Sequence, residues 1–432
     1  MVLLPAAKDR PASRRFGGRG WRHFLARTRY QVALGLVVAV LVPAILRTPL
    51  DLFDIRQVQS ASRTLIGTAI AVMLGAYFVK RITVYPGGHT PFYAVPAFAS
   101  AYALVIMMFF FFRIDYSRAQ FLLSFALAVL FFFIVLRIER RALRQRYLVL
   151  PFGAAPALAN LEGADWDLAA MPDASLAGFS AVAADLRSDM PPEWERMIAG
   201  AALRSVPVYH WKQLAESLTG RVTIEHLSEN NLGSLLPSSL YLRFRRLGDV
   251  VLTILTLPLT AVLIGIAALA IKVTEGGPVL FRQERVGHRG ETFTVIKLRT
   301  MTDGAHQGQA FTDDGDSRIT PLGRWLRRYR VDELPQIVNI LRGEMSWIGP
   351  RPEAVALSRW YESQIPFYSY RHIVRPGITG WAAVNQGNVA KLEAATGKLQ
   401  YDFYYIKHFS PWLDLLIVAK TLKTIATGFG AR

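Results

Sequence analysis

Four apolar stretches in the first third of the chain set the main constraint on its fold. They span Tyr30–Leu46, Leu65–Val79, Pro91–Phe112 and Phe121–Leu136, each roughly 15–22 residues long. With their flanking residues, such stretches can cross a bilayer core of about 30 Å. The alternative is a set of helices buried in a soluble core, but the run Phe109–Phe112 leaves no polar face for water. We predict four transmembrane helices within residues 30–146.

Basic residues cluster on one side of these stretches. Eight basic residues and one acidic residue lie between Lys8 and Arg29, and a second basic group, Arg137–Arg146, follows the fourth stretch. Cytoplasmic flanks of membrane helices are enriched in Lys and Arg, so both ends of the bundle are expected in the cytoplasm. Residues 1–29 are interpreted as a basic cytoplasmic arm on anionic lipid. The formal charge of +18 is thereby assigned to lipid and phosphorylated ligands, with no nucleic acid partner.

Residues 147–237 have a more soluble composition. Short apolar runs at Tyr147–Leu150, Phe179–Val182 and Val206–Tyr209 alternate with helix-like stretches, which is typical of an α/β unit. Gly153 follows the first predicted strand, but the Gly-x-Gly-x-x-Gly fingerprint of dinucleotide sites is missing. We predict a small cytoplasmic Rossmann-like α/β module with a structural or oligomerisation role. Homodimer formation stays open.

A fifth apolar segment, Val250–Val273, begins the C-terminal part of the chain. Its length is sufficient to cross a membrane. Pro258 lies inside it, and an internal proline removes a backbone hydrogen bond and kinks a helix. Both flanks, near Arg245 and Lys272, are basic, as expected when both ends face the cytoplasm. We predict a re-entrant membrane helix at about 246–273 that breaks at Pro258 and returns.

Adjacent carboxylates, Asp332 and Glu333, lie in a segment rich in arginine. Positive neighbours favour the ionised forms of carboxylates, which suit nucleophilic attack or Mg²⁺ binding. On a helix, neighbouring side chains diverge by about 100°, so the two acids are expected to have different roles. The preceding segment combines glycines with Lys297 and Arg299, a composition that suits phosphate binding. The alternative for the carboxylate pair is that it forms surface salt bridges. The alternative for the basic, glycine-containing segment is a surface loop that contacts lipid headgroups.

An ordered series of motifs resembles a known family. The chain from Arg246 to Arg432 resembles the bacterial sugar transferases, the monotopic polyprenyl-phosphate hexose-1-phosphate transferases. The N-terminal bundle and module resemble the large form of that family by layout. The motifs that carry the resemblance are Lys297–Met301, Asp332–Gln336, Gly343–Ser346, Gly349–Glu353, Arg371–Trp381 and Tyr401–Tyr405.

The resemblance implies a mainly helical catalytic domain at 238–432 that includes the re-entrant helix. Asp332 would attack a UDP-hexose, with glucose or galactose expected, to form a covalent aspartyl intermediate. Both Asp332 and Glu333 would hold Mg²⁺ as the cofactor. The family's substrate and phosphate contacts would fall on Lys297, Arg299, Arg318, Arg351, Arg371, Arg375 and Asp402.

The resemblance also implies a cellular role. A polyprenyl phosphate, such as undecaprenyl phosphate, would accept the sugar phosphate in the inner membrane, with the catalytic domain on the cytoplasmic face. This step would initiate exopolysaccharide, capsule or O-antigen synthesis. The alternative from another functional class is a non-catalytic membrane scaffold whose module senses nucleotides during glycan assembly.

Overall fold

A computed structural model describes residues 27–51, 55–87, 90–142, 145–223, 239–302, 316–386 and 392–427. Most of the predicted basic arm, up to residue 26, lies outside the described residues. The chain forms two compact units, which divide between Gly220 and Arg221.

The first unit begins with helices at the predicted apolar stretches. Helix α1 (Thr28–Leu36) continues through a π-helical turn (Val37–Leu41) into α2 (Val42–Asp51), and α3 (Ile55–Ile82), α4 (Ala94–Phe111) and α5 (Arg118–Ala142) follow. In this unit the segments long and apolar enough to cross a membrane are Thr28–Leu46, Val58–Ile82, Pro91–Phe111 and Arg118–Glu139, and a fifth such segment, Leu240–Glu275, lies in the second unit. The predicted helical character is therefore confirmed for the apolar stretches.

Aromatic rings pack directly against the backbone of α3. A Cβ atom on Gly67 would lie 2.2 Å from the ring of Phe109, and one on Gly75 would lie 2.4 Å from Phe98. Small residues allow this close approach between helices, which is typical of membrane bundles.

Four parallel strands form the sheet of the predicted module. They are β1 (Arg146–Val149), β2 (Asp165–Leu168), β3 (Ala181–Ala184) and β4 (Val208–His210), in the order β2-β1-β3-β4. Leu148 and Val182 pack with helix α6 (Pro192–Leu203), whereas their neighbours Val149 and Ala181 pack with α7 (Trp211–Thr219). Because side chains alternate along a strand, the two helices cover opposite faces of the sheet.

Asp185 occupies the carboxyl edge of this sheet at the point where the strand order reverses. Ligands of open α/β sheets bind in the crevice at such a point. Here Asp185 Oδ2 accepts a hydrogen bond from Ala154 N at 3.0 Å, and His210 Nε2 lies 3.4 Å from Oδ1. Gly153 has φ +57°, and a Cβ on it would lie 2.4 Å from Asp185 Oδ2. The backbone N–H of Ala154, in the turn after β1, is therefore already hydrogen-bonded to a carboxylate of the same chain.

The second unit is mainly helical, as predicted. It begins with α8 (Ser239–Glu275), followed by an antiparallel hairpin of β5 (Leu280–Val286) and β6 (Thr292–Leu298). The remaining elements are α9 (Pro321–Arg328), α10 (Ile337–Arg342), β7 (Ser346–Ile348), α11 (Val355–Gln364), β8 (Gly377–Thr379), α12 (Trp381–Asn385), α13 (Leu392–Lys407) and α14 (Pro411–Thr427). Strands β7 and β8 pair in parallel.

Helix α8 is continuous through Pro258 over 37 residues. Its length is about 55 Å at 1.5 Å per residue. The structure therefore does not confirm the break predicted at Pro258. Thr256 and Thr260 donate hydroxyl hydrogen bonds to carbonyls of the preceding turn, at 2.8 Å and 3.0 Å. In apolar helices, threonine hydroxyls of this kind help to satisfy backbone groups near a proline, so the helix can continue through Pro258.

Both halves of α8 contact the rest of the second unit. In the first half, Ser346 Oγ donates to Asp249 Oδ2 at 2.7 Å. In the second half, Ala267 and Ile271 pack in a core cluster with Leu298. Both halves of the continuous helix therefore lie against the same unit.

Candidate active site

A buried 3₁₀ turn, Val331–Gln336, holds the two adjacent carboxylates. The turn begins after Arg330, a non-glycine residue in the left-handed region at φ +57°. Asp332 is 8% exposed and Glu333 is 3% exposed. The tight turn before α10 therefore holds both carboxylates in one buried place.

Positive side chains surround the Glu333 carboxylate. Arg351 Nη2 lies 2.6 Å and Lys297 Nζ 3.3 Å from Glu333 Oε1, and Arg330 Nη1 lies 3.7 Å from Oε2. Burial alone would raise the pKa of Glu333, but Arg351 and Lys297 hold it well below its ordinary value. Burial also lowers the pKa of Lys297 to about 8. Glu333 is thus the fixed anion of the site.

Asp332 has a different electrostatic environment. Burial and the charge of Glu333 raise the pKa of Asp332 to about 6, and Lys297 and Arg351 offset part of this effect. Within the described part of the chain, no hydrogen bond restrains its carboxylate. The sequence expectation that the arginines favour ionisation of both acids is met by Glu333, whereas burial prevails at Asp332. An unrestrained, partly desolvated carboxylate is available to react with a phosphorus atom.

The dyad fits a hard divalent cation. Glu333 Oε2 is buried and has no hydrogen-bond partner among the described residues. No group of three or more potential metal ligands occurs in the described ranges. Mg²⁺ commonly takes one or two protein carboxylates and completes its shell with water and substrate phosphates. The residue types and the free oxygen at Glu333 match that pattern.

Arg371 binds the backbone next to the site. Its Nη2 lies 2.9 Å from Asp402 Oδ2 and donates to the carbonyl of Arg351 at 2.8 Å, and its Nη1 donates to Tyr368 Oη at 2.5 Å. Asp402 is 1% exposed. The predicted substrate contacts Arg371 and Asp402 are therefore paired with each other, and they hold the backbone that carries the Arg351 guanidinium.

Three other predicted phosphate contacts are not brought to the dyad. Arg299 Nη2 lies 3.7 Å from Glu275 Oε2 and donates to the carbonyl of Gly276, at the end of α8. Arg318 pairs with Asp316 at 2.5 Å. Arg375 donates to the carbonyl of Gly343 at 2.9 Å.

Several residues of the site were not among the sequence candidates. Arg330 faces Glu333, and the charge of Arg327 lowers the pKa of Asp332. Arg330 precedes Glu333 by three residues and Arg327 precedes Asp332 by five, and this spacing was the available signal. Lys398 is hydrogen-bonded to Glu353, whose pKa it helps to lower to about 2 against the effect of burial. A single lysine in a distant helix gave no signal in the sequence.

Comparisons with known proteins identify the family of the chain. The family model described as bacterial sugar transferase matches residues 240–428. A protein of Aeromonas hydrophila named UDP-N-acetylgalactosamine-undecaprenyl-phosphate N-acetylgalactosaminephosphotransferase is 43% identical over 404 residues, which cover 92% of this chain and 95% of that protein.

Two further relatives are named UDP-glucose:undecaprenyl-phosphate glucose-1-phosphate transferase. The one from Caulobacter vibrioides is 44% identical over 42% of this chain and 70% of its own length. The one from Escherichia coli is 41% identical over 41% of this chain and 39% of its own length.

Proposed function

Because the chain belongs to the bacterial sugar transferase family, we propose that it transfers a sugar-1-phosphate from a UDP-sugar to undecaprenyl phosphate. The observation that carries this function is the buried pair Asp332 and Glu333 with Lys297 and Arg351 around it. Phosphoryl transfer requires a nucleophile and fixed positive charge around the phosphates, and this cluster offers both. The reaction initiates polysaccharide synthesis at the membrane.

Asp332 is the nucleophile in this proposal. One of its carboxylate oxygens attacks the β-phosphorus of the UDP-sugar, and the bond from that phosphorus to the bridging oxygen breaks. UMP leaves, and the sugar phosphate remains as an acyl phosphate on Asp332. A phosphate oxygen of the lipid then attacks the same phosphorus, which releases the carboxylate and forms the lipid diphosphate sugar. Two displacements replace one direct transfer.

The positive groups around the dyad stabilise charge in both displacements. Lys297 and Arg351 already contact Glu333, so they are placed before substrate binds. Preorganised donors cost little reorganisation when charge develops on the phosphoryl oxygens. Asp332 and Glu333 would hold Mg²⁺, which when bound supplies a Lewis acid for the diphosphate oxygens. Exclusion of bulk water from the buried turn disfavours hydrolysis of the acyl phosphate.

The donor sugar in our proposal is N-acetylgalactosamine. The relative named for that sugar is similar over 92% of this chain, whereas the two relatives described above that are named for glucose match about two fifths of it. Glucose and galactose, expected from the sequence, become the competing donors.

A donor panel tests the proposal. Purified full-length protein, undecaprenyl phosphate and Mg²⁺ are incubated with radiolabelled UDP-N-acetylgalactosamine, UDP-glucose or UDP-galactose, and label in extracted lipid is counted. We expect most lipid product from UDP-N-acetylgalactosamine. A higher rate with glucose or galactose contradicts the sugar assignment only. Absence of lipid product from a broad panel, with folded protein, favours the scaffold alternative.

The apolar helices place the chain in association with a membrane. The inner membrane and a cytoplasmic catalytic domain remain part of the proposal. Both halves of α8 contact the same catalytic unit. These contacts support a topology in which both ends of α8 lie on the same side of the membrane.

A further inference from the structure

A positively charged cavity lies beside the first half of α8. Its volume is about 460 Å³, and five of its ten lining residues are arginines, against a single acidic residue. Arg243 and Arg246 contribute from α8, Arg289 from the turn of the β5–β6 hairpin, and Arg375 from the segment before β8. The mechanism above uses none of these four arginines.

Within the described residues, none of these four arginines forms an ion pair, although the charge of Asp249 acts on Arg375. Among the residues that the structure describes, Arg246 and Arg375 donate only to neutral carbonyls, those of Leu341 and Gly343 among them, each at 2.9 Å. No carboxylate of the described residues lies within salt-bridge distance of Arg243 or Arg289. Burial and the Arg246 guanidinium lower the pKa of Arg375, as expected where like charges are crowded.

The other two charged lining residues are already engaged. Arg245 Nε lies 3.2 Å from Asp414 Oδ2. Asp249, the acidic lining residue, accepts a hydrogen bond from Ser346 Oγ at 2.7 Å. An incoming anion would therefore meet four guanidinium groups without competition from a free carboxylate, and arginine forms bidentate bonds with phosphate oxygens.

The cavity is separate from the reacting carboxylates. Arg246 binds the carbonyl of Leu341 at the end of α10, whereas Glu333 lies in the turn before that helix. The groups that act on the charge of Asp332 are Glu333, Lys297, Arg351 and Arg327, none of which lines the cavity. The lining residues of the cavity also differ from those that surround Glu333. A phosphate bound here therefore contacts a different set of positive side chains from the set around the dyad.

The position of the cavity on α8 identifies the source of the phosphate. Leu240, Phe244 and Leu247 are each more than 60% exposed. At about 100° per residue they share one face of the helix, which is adjacent to the cavity-lining Arg243 and roughly opposite Asp249. An apolar face beside a basic cavity is the arrangement expected at the level of lipid headgroups.

We propose that this cavity binds the phosphodiester of an anionic phospholipid headgroup and so fixes the catalytic unit at the membrane surface. The acyl chains follow the exposed apolar face of α8, and the phosphate oxygens contact Arg243, Arg246, Arg289 and Arg375. This site is independent of the transferase reaction and is tested without it.

The test measures lipid binding to delipidated full-length protein in detergent. Phosphatidylglycerol is titrated, and bound lipid is counted by native mass spectrometry. We expect a tightly bound phosphatidylglycerol whose affinity falls at least tenfold in the double variant Arg243→Gln/Arg289→Gln. The matched control is Arg359→Gln, an exposed arginine of α11 outside the cavity, which should bind as the wild type does.

Parallel titrations distinguish the sources of phosphate. Tighter arginine-dependent binding of undecaprenyl phosphate would overturn the proposal, because the cavity would then be an acceptor site. Equal competition by inorganic phosphate would overturn the lipid assignment. Equal losses in Arg359→Gln and the double variant would indicate general charge attraction and would also overturn it. The single variant Arg289→Gln, at an exposed turn, gives a second measurement if the double variant unfolds, and unchanged phosphatidylglycerol affinity in it would contradict the proposal.

Discussion

Asp332 and Glu333 are adjacent residues with different proposed roles. Substituting each carboxylate by its amide distinguishes the two roles. Asp332→Asn keeps the size of the side chain but removes the nucleophilic oxygen anion, so we expect the covalent sugar-phosphate adduct and turnover to be lost. Glu333→Gln retains Asp332, so we expect adduct formation to recover in part at high Mg²⁺. Intact-mass spectrometry after incubation with donor alone measures the adduct.

An exposed carboxylate provides the control for these variants. Glu284→Gln, on the hairpin strand β5, should form the adduct as the wild type does. Normal adduct formation in Asp332→Asn would exclude this residue as the nucleophile.

The buried pair of Arg371 and Asp402 gives a second prediction at the scale of residues. Removing one partner of a buried ion pair leaves the other without compensation, at a cost of about 3–5 kcal/mol. We expect Asp402→Asn and Arg371→Gln each to lower the free energy of unfolding by an amount of this order. The double variant should lose less than the sum of the two, because no uncompensated charge remains. Denaturant unfolding of the detergent-solubilised protein measures all three.

A different result would restore the role expected from the sequence. If Asp402→Asn unfolds as the wild type does but has a strongly raised KM for the UDP-sugar, Asp402 contacts substrate. Glu284→Gln again serves as the exposed control.

The sequence predicted only part of the set of positive residues beside the dyad. Lys297 and Arg351 do meet Glu333, but Arg299 and Arg375 bind elsewhere. Residue type shows that an arginine can bind phosphate. Its actual partner depends on which strand, turn or helix end lies opposite, and that is fixed by tertiary packing.

Helix α8 shows the same limit at the scale of elements. The proline was visible in the sequence, and so was the length of the apolar segment. The packing of both halves of the helix on one unit was not visible, because the contacts join residues far apart in the chain, such as Asp249 and Ser346. Those contacts, more than the proline, now support a same-side topology.

Cysteine labelling tests that topology in this cysteine-free chain. Single cysteines at Ser239 and at Arg432, a residue outside the described ranges, should both resist membrane-impermeant thiol reagents in intact spheroplasts. Both should react after permeabilisation, which is the control for accessibility. External labelling at Arg432 alone would mean that α8 crosses the membrane.

His408, which directly follows α13, predicts an acid-sensitive stability of the catalytic unit. Burial and Lys407 lower the pKa of His408 to about 4, and its Nδ1 has no hydrogen-bond partner among the described residues. The unfolded chain, with an ordinary pKa of about 6.5, binds the proton first as the pH falls. The free energy of unfolding therefore loses nothing to His408 above about pH 6.5. It declines by about 1.4 kcal/mol per pH unit as the pH falls from there toward 4.

Replacing the imidazole should reduce this sensitivity. In the wild type the ring centroids of His408 and Tyr404 are 4.3 Å apart. His408→Phe keeps an aromatic ring in this place. We expect its melting temperature to fall less than that of the wild type between pH 7.5 and pH 5. Parallel melting curves with a constant difference between the two proteins would contradict the assignment.

At the scale of the whole molecule, the second unit contains every residue of the proposed reaction. Residues before α8 also pack on it, since Val222 N donates to Gln400 O at 3.0 Å. A truncated chain beginning at Arg221 should therefore still form the covalent adduct with the donor in detergent. Far-UV circular dichroism checks that it is folded. A folded but inactive truncated chain would assign part of the active site to the first unit.

Asp185 bears on how such an enzyme is controlled in the cell. Backbone hydrogen bonds from Ala154 and Arg187 lower the pKa of this carboxylate despite its burial, so its negative charge persists at neutral pH. A soluble phosphate compound entering the crevice would meet a fixed like charge. We expect the module to be insensitive to the metabolic supply of nucleotides, so that flux into the glycan follows donor and acceptor concentrations at the catalytic unit alone.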